Sequence, residues 1–323
     1  MLPDILDYYE TVDRLLGEMV AQVPEDALVV ILSDHGFGPF HKFFHINSWL
    51  ANGLVFKRTP VSQAKRAAFQ AGVTPINALK WLTALGLSDM RKNVKRGRGG
   101  GMLRRVFLSF NDVDWSRTKA FSVGNFGQVY LNVKGERPQG VVDPAEYDAL
   151  RDEIIAAAKQ LRDPEDGSQV VPVVYKREEV FQGISASHLP DLVLHTDRAK
   201  YVSFGHADFG SNQIIEPSTG QTGHHHMNGV LGLNGPGVIP GVTVQGAGLL
   251  DVAPTVLHYL GLPVPEYMDG HVLTEAFDES FNDANPVTLQ PGGPGEGQGD
   301  DSVYSEEEEE LVIQKLRDLG YIA

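Results

Sequence analysis

Residues 27–32 form an unbroken apolar run, ALVVIL, that stops at Ser33-Asp34-His35-Gly36. A short apolar run rich in β-branched residues and closed by turn formers reads as a strand buried on both faces, the kind found in parallel sheets covered by helices. Upstream, Ile5, Tyr9, Val12, Leu16 and Met19 recur at helical spacing until Pro24. Helix, short turn and buried strand are half of a βαβ unit, whose preceding strand would lie before Met1. The opening MLPDILDYYE carries acids where a signal peptide carries positive charge, so it reads as the middle of a domain.

Asp34 and His35 thus stand directly after a strand, where open α/β sheets place their ligands. Adjacent strand residues point to opposite faces. The two can share a metal only if the backbone leaves the strand there, and Gly36 and Gly38 permit such a turn. On residue types alone, an Asp-capped turn with a surface histidine is an equally good reading. A second cluster, Gly223-His224-His225-His226-Met227-Asn228-Gly229, precedes the apolar VLGL at 230–233. Three consecutive histidines cannot all reach one metal from extended backbone, and a polar loop with exposed imidazoles is the alternative. The chain has no cysteine, which excludes disulfides, thiolate zinc sites and cysteine nucleophiles. Any metal must be held by His, Asp or Glu.

The remaining elements alternate between types. A short helix is expected over 44–56, around Trp49 and Leu50. Helical periodicity (Ile76, Leu79, Leu82, Leu85) runs through the basic stretch, and KAFSV and GQVYLNV mark strands within 106–133. Asp143, Pro144 and Glu146 form a helix-start signature for 143–161, with Tyr147, Leu150, Ile154 and Leu161 as the buried stripe. VVPVVY (170–175), PDLVLH (190–195) and VLGL read as strands. A helix is expected from Asp251 to Leu260, stopped by Gly261. Residues 285–301 are Pro/Gly-rich, as in a flexible linker, and a helix should start at Ser305 with acids first and bases last.

Net charge is −15, yet residues 57–105 contain twelve Lys/Arg and one acid, a local +11 that leaves −26 elsewhere. Such a patch can face phosphate, but a solvated insertion explains it as well, and no aromatic interleaves with bases 91–105 as single-stranded nucleic-acid binders require. A nucleic-acid polymer is therefore not an expected partner. No apolar run approaches the roughly 18 residues of a membrane span.

Several ordered segments resemble one family. SDHGFGP, the GHHHMNG…GPG pattern, DVAPTVLHYLGLPVPEYMDGHVL, VDWSRTKAF, YLNVKGERPQG, PDLVL and the terminal LRDLGYI are together similar to type I phosphodiesterase/nucleotide pyrophosphatase proteins of the alkaline phosphatase superfamily. The resemblance implies an α/β fold, a mostly parallel sheet flanked by helices, incomplete at the N-terminus and carrying a smaller inserted α+β region. The expected organisation is a core at 1–56, a basic helical insertion at 57–105, an α+β region at 106–220, a return to the core at 221–284, a linker at 285–302 and a helix at 303–323. The resemblance further implies a hydrolase with two divalent ions, zinc or alternatively manganese. Asp34 and His35 would bind one ion and His225 the other. The substrate would be a small phosphodiester or nucleotide, hydrolysed through a phospho-enzyme. The family's Thr or Ser nucleophile, the aspartate beside it and an Asp…His ligand pair have no counterpart in this chain; Asp4, Asp7 and Asp13 fit as acids on a helix surface. Those groups would come from a missing N-terminal half or an oligomer. A cytoplasmic location is expected. The family usually has GREPQG where this chain has Gly135-Glu136-Arg137-Pro138-Gln139-Gly140. A catalytically inactive metal- or nucleotide-binding fragment, or a sibling phosphomonoesterase, sulfatase or phosphoglycerate mutase, are the alternatives.

Overall fold

The computed structural model describes residues 2–50, 54–85, 106–181, 186–197, 199–205, 209–218 and 221–292. The basic run 91–101, the end of the expected linker and the terminal helix lie outside these residues. In chain order, α1 (Leu2–Val20), β1 (Val29–Leu32), β2 (Gly36–Pro39), β3 (Lys42–His45), α2 (Ile46–Leu50), α3 (Pro60–Gln70) and α4 (Pro75–Ala84) come first. They are followed by β4 (Ala120–Ser122), β5 (Gln128–Leu131), α5 (Tyr147–Gln160), β6 (Val173–Lys176), α6 (Arg177–Val180), β7 (Leu192–His195), β8 (Tyr201–Phe204), β9 (Ile215–Pro217) and β10 (Gly223–His226). β11 (Leu231–Asn234), α7 (Val252–Tyr259), β12 (Val264–Pro265), α8 (Glu279–Ala284) and β13 (Leu289–Gln290) complete the set.

The chain divides into two units, one from His35–Asn228 and one from Met1–Asp34 together with Gly229–Ala323. In the first, four antiparallel strands run in the order β4-β5-β7-β6, and three more in the order β8-β3-β9. Val129 and Leu131 on β5 and Leu192 and Leu194 on β7 alternate inward. They pack with Ile154 and Ala158 of α5 and with Phe44 and Tyr201 in one buried cluster. Helix α5 enters through the expected signature: the Asp143 side chain accepts from the Ala145 N–H at 3.1 Å, and Pro144 opens a 3₁₀ turn that runs into the α-helix. A second cluster joins Phe56, Phe69, Leu108, Val113 and Phe209.

The unit formed by the two chain ends holds β1 antiparallel to β11, with Leu32 opposite Leu231. The DVAPT segment builds its interior. The Asp251 carboxylate accepts from the Gly248 and His271 N–H groups at 2.7 and 2.8 Å, and Thr255 Oγ1 accepts from the Leu273 N–H at 3.0 Å. Leu273, Ala276 and Phe277 are buried around this clamp.

Three expectations need correction. The architecture is mixed α/β, but among the described residues six of the eight strand pairings are antiparallel rather than mostly parallel. An apolar run carries no information on strand direction, and β1 finds β11, an antiparallel neighbour. Nor is β1 buried: Ile31 and Leu32 are 46% and 42% exposed, because its described sheet has only two strands. Finally, the helix expected at 44–56 is preceded by strand β3, which holds residues 42–45, and among the described residues α2 covers Ile46–Leu50. Phe43 and Phe44 favour the pleated conformation there.

Candidate functional site

Strand β2 starts one residue after His35 and pairs antiparallel with β10, the strand of the histidine triplet. The turn after β1 and the polar loop that the sequence offered as an alternative for the histidine triplet are instead the two strands of a ladder. In its register His224 faces Gly38, His225 faces Phe37 and His226 faces Gly36. Side chains two apart share a face. His35 therefore lies on the same side as Phe37, diagonal to His225, while His224 and His226 alternate to the opposite side. The His35, Phe37 and His225 rings follow this rule, although the His224 ring still comes within 5.0 Å of His225 at a tilt of 40°. His35 stacks on His225 with centroids 3.9 Å apart and planes at 22°, and Phe37 lies 6.4 Å from His225. Phe126 supplies a further near-parallel ring at 6.3 Å from His225.

Glycine makes this approach possible. A Cβ at Gly36 would sit 1.9 Å from the Asn228 carbonyl oxygen, and one at Gly38 would sit 2.8 Å from the His226 ring. Neither glycine adopts a left-handed φ. Their role is room for the facing strand, not the turn that the sequence suggested. Both stacked histidines are half-buried. His35 Nδ1 lies 2.8 Å from the Gly36 carbonyl oxygen. A carbonyl only accepts, so Nδ1 carries a proton, and in the neutral imidazole the lone pair is on Nε2. That is the tautomer of a metal-ligating histidine whose other nitrogen is held by the backbone.

Asp34 belongs to the unit of the chain ends. Ser33, just before it, is fixed to β11: its N–H donates to the Val230 carbonyl at 3.0 Å, and its Oγ accepts from the Val230 N–H at 2.9 Å. Asp34 itself is exposed. The structure thus brings His35 and His225 into contact. Among the described residues no three His, Asp or Glu side chains group closely enough to hold an ion.

Two polar groupings escaped the sequence reading. Asn125, Thr196, Tyr201, Ser203 and His224 line a cavity of about 10 Å³, room for one water. Deeper, Glu216 of β9 meets Lys80 of α4 and lies 3.5 Å from His45 Nε2. Burial disfavours its charge, but the neighbouring His45 imidazole, the hydrogen bond from Lys80 and the nearby Ser211 prevail and hold the carboxyl down at about 2. No local pattern announces either grouping, since the members come from distant strands and helices.

The type I phosphodiesterase/nucleotide pyrophosphatase family model matches residues 2–226, more than half of the 323-residue chain. The chain belongs to this family. In a family member, the stacked His35–His225 pair and the SDHG segment fall inside the matched region, and the DVAPT segment that organises the unit of the chain ends follows it. No curated protein and no solved structure matches the chain. Membership gives a phosphoric-ester hydrolase family as the functional setting. Among the described residues no helix is long and apolar enough to cross a membrane.

Proposed function

We propose that the chain supplies metal ligands of a phosphodiesterase or nucleotide pyrophosphatase, with Asp34, His35 and His225 as those ligands and zinc, or alternatively manganese, as the ion. The observation that carries this reading is the face-to-face contact of His35 and His225 on the β2–β10 ladder. Imidazole lone pairs lie in the ring plane. Two near-parallel rings 3.9 Å apart therefore do not converge on one ion but suit two neighbouring ones, and the ions of two-metal sites are about 3.5–4 Å apart. Nitrogen and carboxylate donors without thiolate also fit zinc or manganese.

Divalent ions bound there would neutralise the phosphoryl oxygens and lower the pKa of the attacking hydroxyl or water. The chain's own contribution is positional. The Gly36 carbonyl fixes the His35 tautomer, the β2–β10 register sets the two imidazoles side by side, and Phe126 flanks His225. The Asp34 carboxylate adds negative charge to the donor set. The nucleophile expected from the family has no counterpart in these 323 residues, so turnover of a small phosphodiester or nucleotide would draw on a group outside them. The lack of a counterpart to the family's nucleophile in these residues favours a second reading, in which they bind metal or nucleotide without turnover.

Chelator competition on the full chain tests the ligand set. Wild type should retain zinc or manganese, and His225→Ala and His35→Ala should each weaken it by about tenfold or more, the usual size of a lost ligand or its support. Equal retention in all three proteins would refute the assignment. A panel of a phosphodiester, a monoester and a sulfate ester, with an N-terminal half added in trans, then decides the reaction: diester preference supports the hydrolase, and no turnover supports the binding reading.

A further inference from the structure

The GERPQG segment is not used by the reading above, and the structure gives it a place. Gly135 takes φ +85°, and Gly140 packs so tightly that a Cβ there would meet the Val133 carbonyl oxygen at 2.0 Å. This tight turn folds Arg137 back over its own strand. The guanidinium lies 5.3 Å above the Phe121 ring and 5.2 Å above the Tyr130 ring, and its Nε donates to the Leu131 carbonyl at 3.1 Å. Phe110, Trp115 and Phe121 meet edge to face with centroids 5.1–6.2 Å apart, and Phe121 stacks on Tyr130 at 5.6 Å. Phe110, Trp115 and Phe121, with Arg137, Pro138 and Gln139, wall a cleft of about 330 Å³.

The walls are held from behind. The buried Asn132 side-chain amide contacts the carbonyl oxygens of Trp115, Thr118 and Gln139 at 2.8–3.0 Å, tying together the segments that carry Trp115 and Gln139. Arg137 is half-buried and always charged, yet among the described residues no carboxylate lies within ion-pair distance of it. A cationic fork with no carboxylate partner among the described residues, beside half-buried aromatic rings, asks for a ligand with both an anionic group and a flat ring. The cleft volume lies at the small end of ligand sites.

We propose that this cleft between Trp115 and Arg137 is a binding site for a nucleoside monophosphate, the base lying against the aromatic wall and the phosphate on the Arg137 guanidinium. Arginine suits this task because its planar fork pairs two phosphate oxygens at once, and stacking of a base on an aromatic ring is tolerant of which base it is. The Gln139 side chain, exposed at the rim, offers both a donor and an acceptor to a base edge. None of the walls is a proposed metal ligand. The site therefore stands apart from the metal reading and gives a member of a nucleotide-handling family a place to hold a substrate fragment or product.

Calorimetric titration of the full chain in EDTA, with AMP, adenosine and ribose 5-phosphate, tests this. AMP should bind, and adenosine and ribose 5-phosphate should each bind about tenfold more weakly or worse, since each lacks one recognised part. Arg137→Gln should weaken AMP about tenfold while leaving adenosine unchanged, with Arg137→Lys in between. Val123→Glu, at an exposed rim position where folding is not at stake, should weaken AMP and ribose 5-phosphate by charge repulsion. Absence of AMP binding, AMP binding untouched by both Arg137→Gln and Val123→Glu, or its loss in His225→Ala would each overturn the proposal. Because EDTA removes metal, failure of the metal assignment leaves these outcomes unchanged.

Discussion

A methyl group at position 36 has no room. Its carbon would fall 1.9 Å from the Asn228 carbonyl oxygen, a backbone atom on the facing chain, so the ladder itself must shift. Overpacking of this kind costs about 1–3 kcal/mol, and here the displaced strands carry His35 and His225. Gly36→Ala should therefore lower the urea midpoint at unchanged slope and weaken zinc retention together. Gly17 is the contrast: a Cβ there meets nothing within 4 Å in the last turn of α1. Gly17→Ala should be neutral or stabilising by about 0.5–1 kcal/mol; comparable losses in both variants would refute the close-approach argument. Asp34, His35 and the histidine triplet stand out in the sequence because they interrupt apolar runs. Which histidine meets His35 is a matter of register. One residue of slip would present His224 or His226 instead, and nothing in residues 223–229 alone selects between them.

At the scale of elements, α4 and strands β3 and β9 meet at Glu216, whose neighbours Lys80 and His45 come from elements far away in the chain. Its carboxyl ionises at about 2 in the folded protein against 4.5 when unperturbed. The folded state thus binds fewer protons than the unfolded one. The stabilisation is complete above about pH 4.5 and is lost as pH falls towards 2. Its size is up to about 3 kcal/mol, from about 1.4 kcal/mol per pKa unit. Glu216→Gln should flatten the fall in stability between these limits, measured by denaturant unfolding at several pH values; an unchanged acid limb would remove Glu216 from the account. Helix α5 shows what was legible at this scale. Asp143 and Pro144 announce its start through local hydrogen bonding, whereas the direction of β1 depends on a partner some 200 residues away, which an apolar run cannot encode.

For the whole molecule, the distribution of buried rings is uneven. Among the described residues every buried Phe or Tyr except Phe277 lies within His35–Asn228, an uninterrupted stretch of chain with its own sheets and clusters. The unit of the chain ends must instead close over two segments, and it leaves Ile5, Tyr9, Met19, Ile31, Leu249 and Leu250 between 46% and 68% exposed. Burial of apolar area is the main favourable term in folding, so the stability of the two units should differ in the same sense. Residues 35–228 produced alone should fold, with near-UV dichroism and a single cooperative transition. The full chain should show that transition preceded by a weaker one. A fragment without near-UV signal would mean that its clusters do not suffice. The cut also divides the proposed ligands, keeping His35 and His225 while removing Asp34. The stack should persist in the fragment, seen as upfield ring-current shifts of both imidazoles, whereas zinc affinity should fall below that of the full chain. Retained stacking with undiminished affinity would dismiss Asp34 as a ligand while leaving the histidine pair intact.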